Sequence, residues 1–144
     1  TLQKLKKMKY SFDYVFVLEP TSPLTDYNDV KATYKILTSN LNITSVVSVQ
    51  QNIKYHPSFN LKLLNNNNLK LILNKKDIRR QDVSNLYYLD GSVYASKVSS
   101  LKKFNSFIQT NTKPYFAKPY KFVEIDDQFD FNLALLIKKY YAKK

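Results

Sequence analysis

Residues 13–25 read DYVFVLEPTSPLT, and the way this stretch changes character decides the fold. Its first half is dense in Val, Phe and Leu, the composition of a strand held in a sheet. Pro20 and Pro23 then end it, because proline can extend neither a ladder nor a helix interior. Residues 25–39 follow with Val30, Tyr34 and Leu37 on one helical face and Thr25 or Asp26 as the cap. Residues 44–50, TSVVSVQ, read as the next strand. Strand, helix and strand in this order predict a βαβ unit, hence an α/β fold with a mostly parallel sheet and flanking helices.

The rest of the chain extends that frame. Residues 2–9 space Leu2, Leu5 and Met8 as a short helix. Residues 61–64 and 69–73 are apolar runs around Asn65, Asn66, Asn67 and Asn68, which predicts a hairpin because Asn tolerates left-handed backbone angles. Residues 87–95 read as extended chain broken at Asp90-Gly91, and 97–108 as a short helix. An irregular stretch follows around Pro114 and Pro119. Residues 122–125 are predicted as a last strand. A helix from Asp126 or Asp127 then carries an apolar stripe of Phe129, Leu133, Leu136, Ile137 and Tyr140, with lysines at its C-terminal end.

Composition excludes several chemistries. The 144 residues hold 44% hydrophobic and 15% aromatic side chains, enough for a core and too many for intrinsic disorder. Cys is absent, so disulfides, thiol nucleophiles and Cys-based metal sites are excluded; a single His excludes sites needing two imidazoles. The lone glycine, Gly91, cannot build a Walker or dinucleotide-binding loop. No apolar run approaches the ~20 residues of a membrane span, and the start lacks the apolar stretch of a signal peptide. The expectation is a cytoplasmic protein with no membrane partner. The net charge of +12 comes from 23 basic and 11 acidic residues. Only Arg79 and Arg80 among the basic residues are Arg, and the lysines are scattered. The charge is therefore read as compositional drift in preference to a nucleic-acid interface.

Four places carry candidate chemistry. Glu19-Pro20-Thr21-Ser22-Pro23-Leu24 lies at the carboxyl end of a strand, where open α/β sheets bind ligands; a rigid strand-to-helix connection explains it equally well. Glu124 and Asp126 share one face if extended, and paired carboxylates suit a hard divalent cation such as Mg²⁺. A helix cap plus a solvated acid is the simpler account. Arg79 and Arg80 suit a carboxylate or phosphate, or else a surface ion pair with Asp77 or Asp82. His56-Pro57 reads as a turn.

In order, these segments resemble the cytidylyltransferases that activate acidic nine-carbon sugars, the CMP-sialic acid synthetases and their relatives. In that family a strand ends in a Gln-Pro-Thr-Ser-Pro-Leu-Arg-like motif, matched here by residues 13–25. A Ser-Val-Val-Ser strand followed by His-Pro matches residues 45–48 and His56-Pro57. Arg-Gln, eight residues, then Asn-Gly-Ala-Ile-Tyr matches Arg80-Gln81 and Asp90-Gly91-Ser92-Val93-Tyr94. The closing Asp-Ile-Asp-Thr and early helical Asp match Glu124-Ile125-Asp126-Asp127 and Asp130. The likeness covers about residues 10–140. It implies a single domain over 1–144 of the nucleotide-diphospho-sugar transferase type, with residues 51–82 as a hairpin dimerisation insert and a homodimer sharing its active site. It further implies transfer of CMP from CTP to an acidic sugar with Mg²⁺ on Glu124 and Asp126. Glu19, Thr21, Ser22, Arg80, Gln81, Tyr94 and Phe107 would bind substrate.

The departures are specific. Glu19 stands for the family's Gln, Thr25 for its Arg, Phe59 for a Lys, Asp90 for Asn and Glu124 for Asp; a different sugar acid fits these changes. The family's leading strand and Gly-, Ser-, Lys- and Arg-rich triphosphate loop have no match in residues 1–12. The expectation is the C-terminal two-thirds of a longer enzyme, inactive as given, with an open sheet edge and exposed apolar surface. Two other readings stand beside it: a non-catalytic homologue acting as a binding module, and a basic nucleic-acid-binding domain.

Overall fold

In the computed structural model, residues 2–52, 56–73 and 79–141 are described, apart from the side chain of Arg80. The chain divides into two compact units, Thr1–Val49 with Leu89–Lys144, and Gln50–Tyr88.

The first unit is built on a four-stranded sheet. Its strands are β1 (Tyr14–Leu18), β2 (Ser45–Gln51), β5 (Tyr87–Lys97) and β6 (Thr112–Tyr115), in the order β1-β5-β2-β6, with β2 and β5 running on into the second unit. β5 pairs antiparallel with β1, from Tyr14 opposite Lys97 to Leu18 opposite Val93. β6 pairs parallel with β2, from Ser45 opposite Thr112 to Ser48 opposite Tyr115. This corrects the mostly parallel sheet expected from the βαβ pattern: the sheet is mixed, and β5 lies between the two strands that the helix connects. Sequence order says which elements follow one another, but a strand arriving forty residues later can insert between them.

β6 was also not foreseen, because its Pro114 reads as a loop residue. At the sheet edge a proline needs no ladder donor on its outer side, so it is tolerated. Conversely, residues 122–125 form no ladder. Their backbone is tied instead to the proline-rich turn, Ile125 N–H donating to Thr21 O at 2.8 Å.

Helix α1 (Leu2–Lys7) precedes β1, α2 (Tyr27–Thr38) joins β1 to β2, α3 (Val98–Phe104) follows β5, and α4 (Gln128–Tyr141) closes the described chain. α2 begins with a reciprocal capping box. Asp26 accepts from the amides of Asn28 and Asp29, and the Asp29 carboxylate accepts from Asp26 N–H at 2.7 Å. The core is Leu37, Ile43, Val46 and Ala95, with Tyr14, Phe16, Ile36 and Tyr115 packed against it. The apolar stripe of α4 is present, but Phe129, Leu133, Leu136 and Tyr140 are exposed and only Ala134 is buried.

An ionic cluster, buried at Lys121 and Asp29 and half-exposed at Asp26, joins three elements of this unit. The Lys121 ammonium lies 2.6 Å from Asp26 and 2.7 Å from Asp29, and the Tyr115 hydroxyl donates to the other Asp29 oxygen at 2.7 Å. Burial opposes the charged form of Lys121, but its two carboxylate partners outweigh it and hold its pKa above the ordinary lysine value. Burial would likewise raise Asp26, yet the Lys121 contact and the backbone donors Asn28 and Asp29 hold it below the usual aspartate value.

The second unit contains β3 (Leu61–Leu63) and β4 (Leu69–Leu71), an antiparallel hairpin around the Asn run, with Asn67 at φ 60°. Its leucines Leu61, Leu63 and Leu69 are exposed. His56 caps the short turn Pro57–Phe59 through Nδ1, which accepts from Ser58 N–H at 3.1 Å.

Lys121→Met should lower stability by about 3 kcal/mol, the low end for breaking a buried pair, since Asp29 keeps Tyr115 and the Asp26 amide. Urea denaturation checks this, and adding Asp29→Asn should restore part of the loss. A depressed Asp26 contributes stability above its ordinary pKa that disappears as pH falls through its lowered native value. The Asp26→Asn variant should therefore show a flatter acid limb of stability against pH.

Candidate active site

β1 delivers Glu19 just past its last pair with β5, Leu18 opposite Val93. The turn then closes on itself, Ser22 N–H donating to Glu19 O at 3.0 Å and Thr25 N–H to Ser22 O at 3.2 Å. Two prolines rigidify it by limiting the alternatives open to the unfolded chain. Ser22 is buried, and neither its hydroxyl nor that of Thr25 has a hydrogen-bond partner among the described residues. The turn lines a cavity of about 480 Å³ with Glu19, Ser22, Thr25 and Tyr27 among its walls.

Gly91 brings the other pieces to this turn. The break expected at Asp90-Gly91 is absent: β5 continues through Gly91, which takes φ +74°. A Cβ built there would collide with the Glu124 carboxylate and would lie 3.6 Å from Ser22 Oγ. Glycine takes this backbone angle without strain, and a side chain there would have to displace the flexible end of Glu124. Beside it, Asp90 is almost fully buried, its Oδ1 accepting from Ser92 N–H at 3.0 Å. The Ser92 hydroxyl is buried with no hydrogen-bond partner among the described residues.

The electrostatics follow from this crowding. Glu124 is pushed above the ordinary glutamate value, first by desolvation and then by the charges of Asp126, Asp90 and Glu19. Tyr94 is raised by desolvation and by Glu19, Glu124 and Asp90. It therefore keeps its proton and presents a hydroxyl donor. Its ring centroid is 5.6 Å from that of Phe107.

The helix-cap alternative for Asp126 does not hold. Asp127 caps α4, its carboxylate accepting from Asp130 N–H at 3.0 Å, while Asp130 accepts from the amides of Asp126 and Asp127. The side chain of Asp126 makes no hydrogen bond among the described residues and is exposed, as a solvated acid would be.

Thus Glu19, Thr21, Ser22, Tyr94, Glu124 and Asp126 belong to one neighbourhood of the first unit, with Phe107 against Tyr94. Arg80 and Gln81 belong to the second unit, in the short helical turn Arg80–Asp82; Gln81 is exposed. Asp77, the other acid considered for Arg79 and Arg80, lies outside the described residues. Asp90 and Ser92 were missed as site residues. The signal was the Asp-Gly pair, which reads as a turn before it reads as a carboxylate beside a close backbone approach. Among the described residues, no group of three or more His, Cys, Asp or Glu is arranged to hold a metal ion, and no helix is long and apolar enough to cross a membrane.

Neither a family model nor a curated protein matches this chain.

Gly91→Ala should cost about 1–2 kcal/mol, the strain of a left-handed alanine, and displace the flexible end of Glu124; thermal unfolding and the Glu124 carboxyl resonance report the two effects. A Glu124 pKa raised in the native state contributes stability below the ordinary value of 4.5 that is lost as pH climbs through the raised value. Asp126→Asn should lower the Glu124 pKa and reduce that loss.

Proposed function

We propose that the protein is a nucleotidyltransferase that transfers CMP from CTP to an acidic nine-carbon sugar of the sialic-acid type. The observation that carries the reading is the approach of Gly91 to both Ser22 and Glu124, which joins three motifs that are far apart in sequence. The motifs are those of the resemblance: the proline-rich turn, the Asp-Gly strand and the terminal acids.

In this reaction the anomeric hydroxyl of the sugar gives up its proton to solvent and attacks the α-phosphorus of CTP. A P–O bond forms to the sugar, the bond to the β-phosphate oxygen breaks, and pyrophosphate leaves. Glu124 and Asp126 would hold Mg²⁺. Two carboxylates suffice because this ion keeps waters and takes phosphate oxygens to complete its shell. When bound it offsets the phosphate charge that builds up during transfer.

The remaining work falls to the chain itself. Ser22 and Ser92 hold buried hydroxyls without hydrogen-bond partners among the described residues, and that of Ser22, in the wall of the cavity, would donate to a ligand oxygen. Tyr94 donates from a phenol that stays protonated, and its ring with Phe107 gives an apolar wall to the sugar. Arg80 and Gln81 belong to the second unit, and their part in binding the sugar rests on the resemblance alone. A homodimer built through residues 51–82 belongs to the same reading.

One observation favours a second reading, a non-catalytic homologue that binds a cation. Glu19 adds negative charge to a neighbourhood already holding Asp90, Glu124 and Asp126, and it raises Glu124 further. The two readings separate on turnover. Full-length protein supplied with CTP, Mg²⁺ and a panel of sialic-type acids should release pyrophosphate. Glu124→Ala with Asp126→Ala should abolish that release while circular dichroism stays unchanged. Mg²⁺ binding without pyrophosphate release across the panel would establish the binding module. Steeply salt-dependent binding to DNA or RNA would be needed for a nucleic-acid function.

A further inference from the structure

At the opposite end of β1 from Glu19, the chain forms a second cavity of quite different character. It has a volume of about 380 Å³ and is lined by Lys6, Lys9 and Lys102, the rings of Tyr10 and Phe12, and Val98. The size falls within the ~300–1,000 Å³ of small-molecule sites. No carboxylate lines it. Among the described residues, none of the three lysines has an ion pair.

The cavity is assembled from separate parts of the first unit. Lys6 comes from α1 and Lys102 from α3. Lys9 comes from the turn that ends α1, where Lys9 N–H donates to Lys6 O and Tyr10 N–H to Leu5 O at 3.1 Å. This is the paired hydrogen-bond pattern that ends a helix on a left-handed residue, normally glycine. Here that residue is Lys9, at φ 67°. The turn directs the chain into Tyr10 and Phe12, whose rings lie 6.3 Å apart with planes 22° from parallel. Both rings are about half exposed, Tyr10 at 56% and Phe12 at 47%.

We propose that this cavity is a binding site for a nucleoside monophosphate. Three lysines and no acid line the cavity, so a dianion there meets only positive charge among the lining residues. Lysine meets phosphate as a point charge, whereas carboxylate recognition favours the planar fork of arginine, which is absent here. Two adjacent aromatic rings offer a base a stacking surface that water covers poorly. The site is independent of the acidic neighbourhood around Gly91, which favours cations.

The test is titration with CMP and AMP by calorimetry and by amide chemical shifts. Inorganic phosphate, the free nucleosides and heparin are run in parallel, all in EDTA to exclude divalent-cation sites. The expected result is saturable one-to-one binding of a nucleoside monophosphate, tighter than either phosphate or nucleoside alone, with shifts at residues 5–12 and 98–102. Lys6→Gln with Lys102→Gln should weaken it by about tenfold, the scale of two exposed ion pairs. Lys9→Gly should weaken binding while holding or raising the thermal midpoint, because glycine suits the left-handed turn. Phe12→Leu should remove the advantage over inorganic phosphate. Glu124→Ala should leave binding unchanged. No saturable binding, shifts elsewhere in the chain, or affinity untouched by the lysine variants would overturn the proposal. So would binding of heparin alone or equal affinity for inorganic phosphate, either of which would mark diffuse attraction to a basic surface.

Discussion

A single buried carboxylate, Asp29, organises the first unit. One of its oxygens accepts from the Asp26 amide and from Lys121, and the other from Tyr115. It therefore ties the first turn of α2 to β6 and to the short helical turn Pro119–Lys121. A charge this deep is tolerable only with a cation and donors on both oxygens. The consequence lies in what leaves the cluster. The proline-rich turn enters α2 at Asp26, and Glu124 follows Lys121 by three residues. Anchoring both chains at the same ions sets how closely the turn and the acid segment run, and the Ile125–Thr21 hydrogen bond continues that alignment.

Net charge describes this molecule poorly. The chain is strongly basic as a whole, yet Glu19, Asp90, Glu124 and Asp126, four of its 11 acids, act on one neighbourhood. Long-range attraction follows the total, so anions are drawn toward the protein. Local chemistry follows the nearest groups, and there desolvation together with the neighbouring acids pushes Glu124 and Tyr94 above their ordinary values. The proposed metal-bound nucleotide would answer to both fields. The second cavity, with three lysines and no acid, shows the opposite local field in the same unit.

The candidate site was legible in part. The proline-rich turn and the acids near the C-terminus stood out as candidates, although each also had a local account, a rigid connection for the one and a helix cap with a solvated acid for the other. The assignment of Asp126 remained open in the sequence, since an acid before a helix is normally its cap. Asp127 and Asp130 fill that role reciprocally, a distinction of one residue that needs the backbone geometry. Asp29 and Lys121 could not be read at all. Each looks like an ordinary surface charge on its own element, and they meet only because α2 packs beside the chain that follows β6.

By itself the sequence determined the local elements: β1 ending at Pro20, α2 with its Asp26 cap, the Asn-turned hairpin and the amphipathic α4. These depend on periodicity, caps and turn residues, which act over a few positions. Tertiary structure alone decided that β5 inserts between β1 and β2, that Pro114 lies in an edge strand and that Gly91 rests against Glu124. Those outcomes depend on contacts between residues tens of positions apart. Nothing in a local pattern encodes which distant side chain will come to rest against the Gly91 backbone.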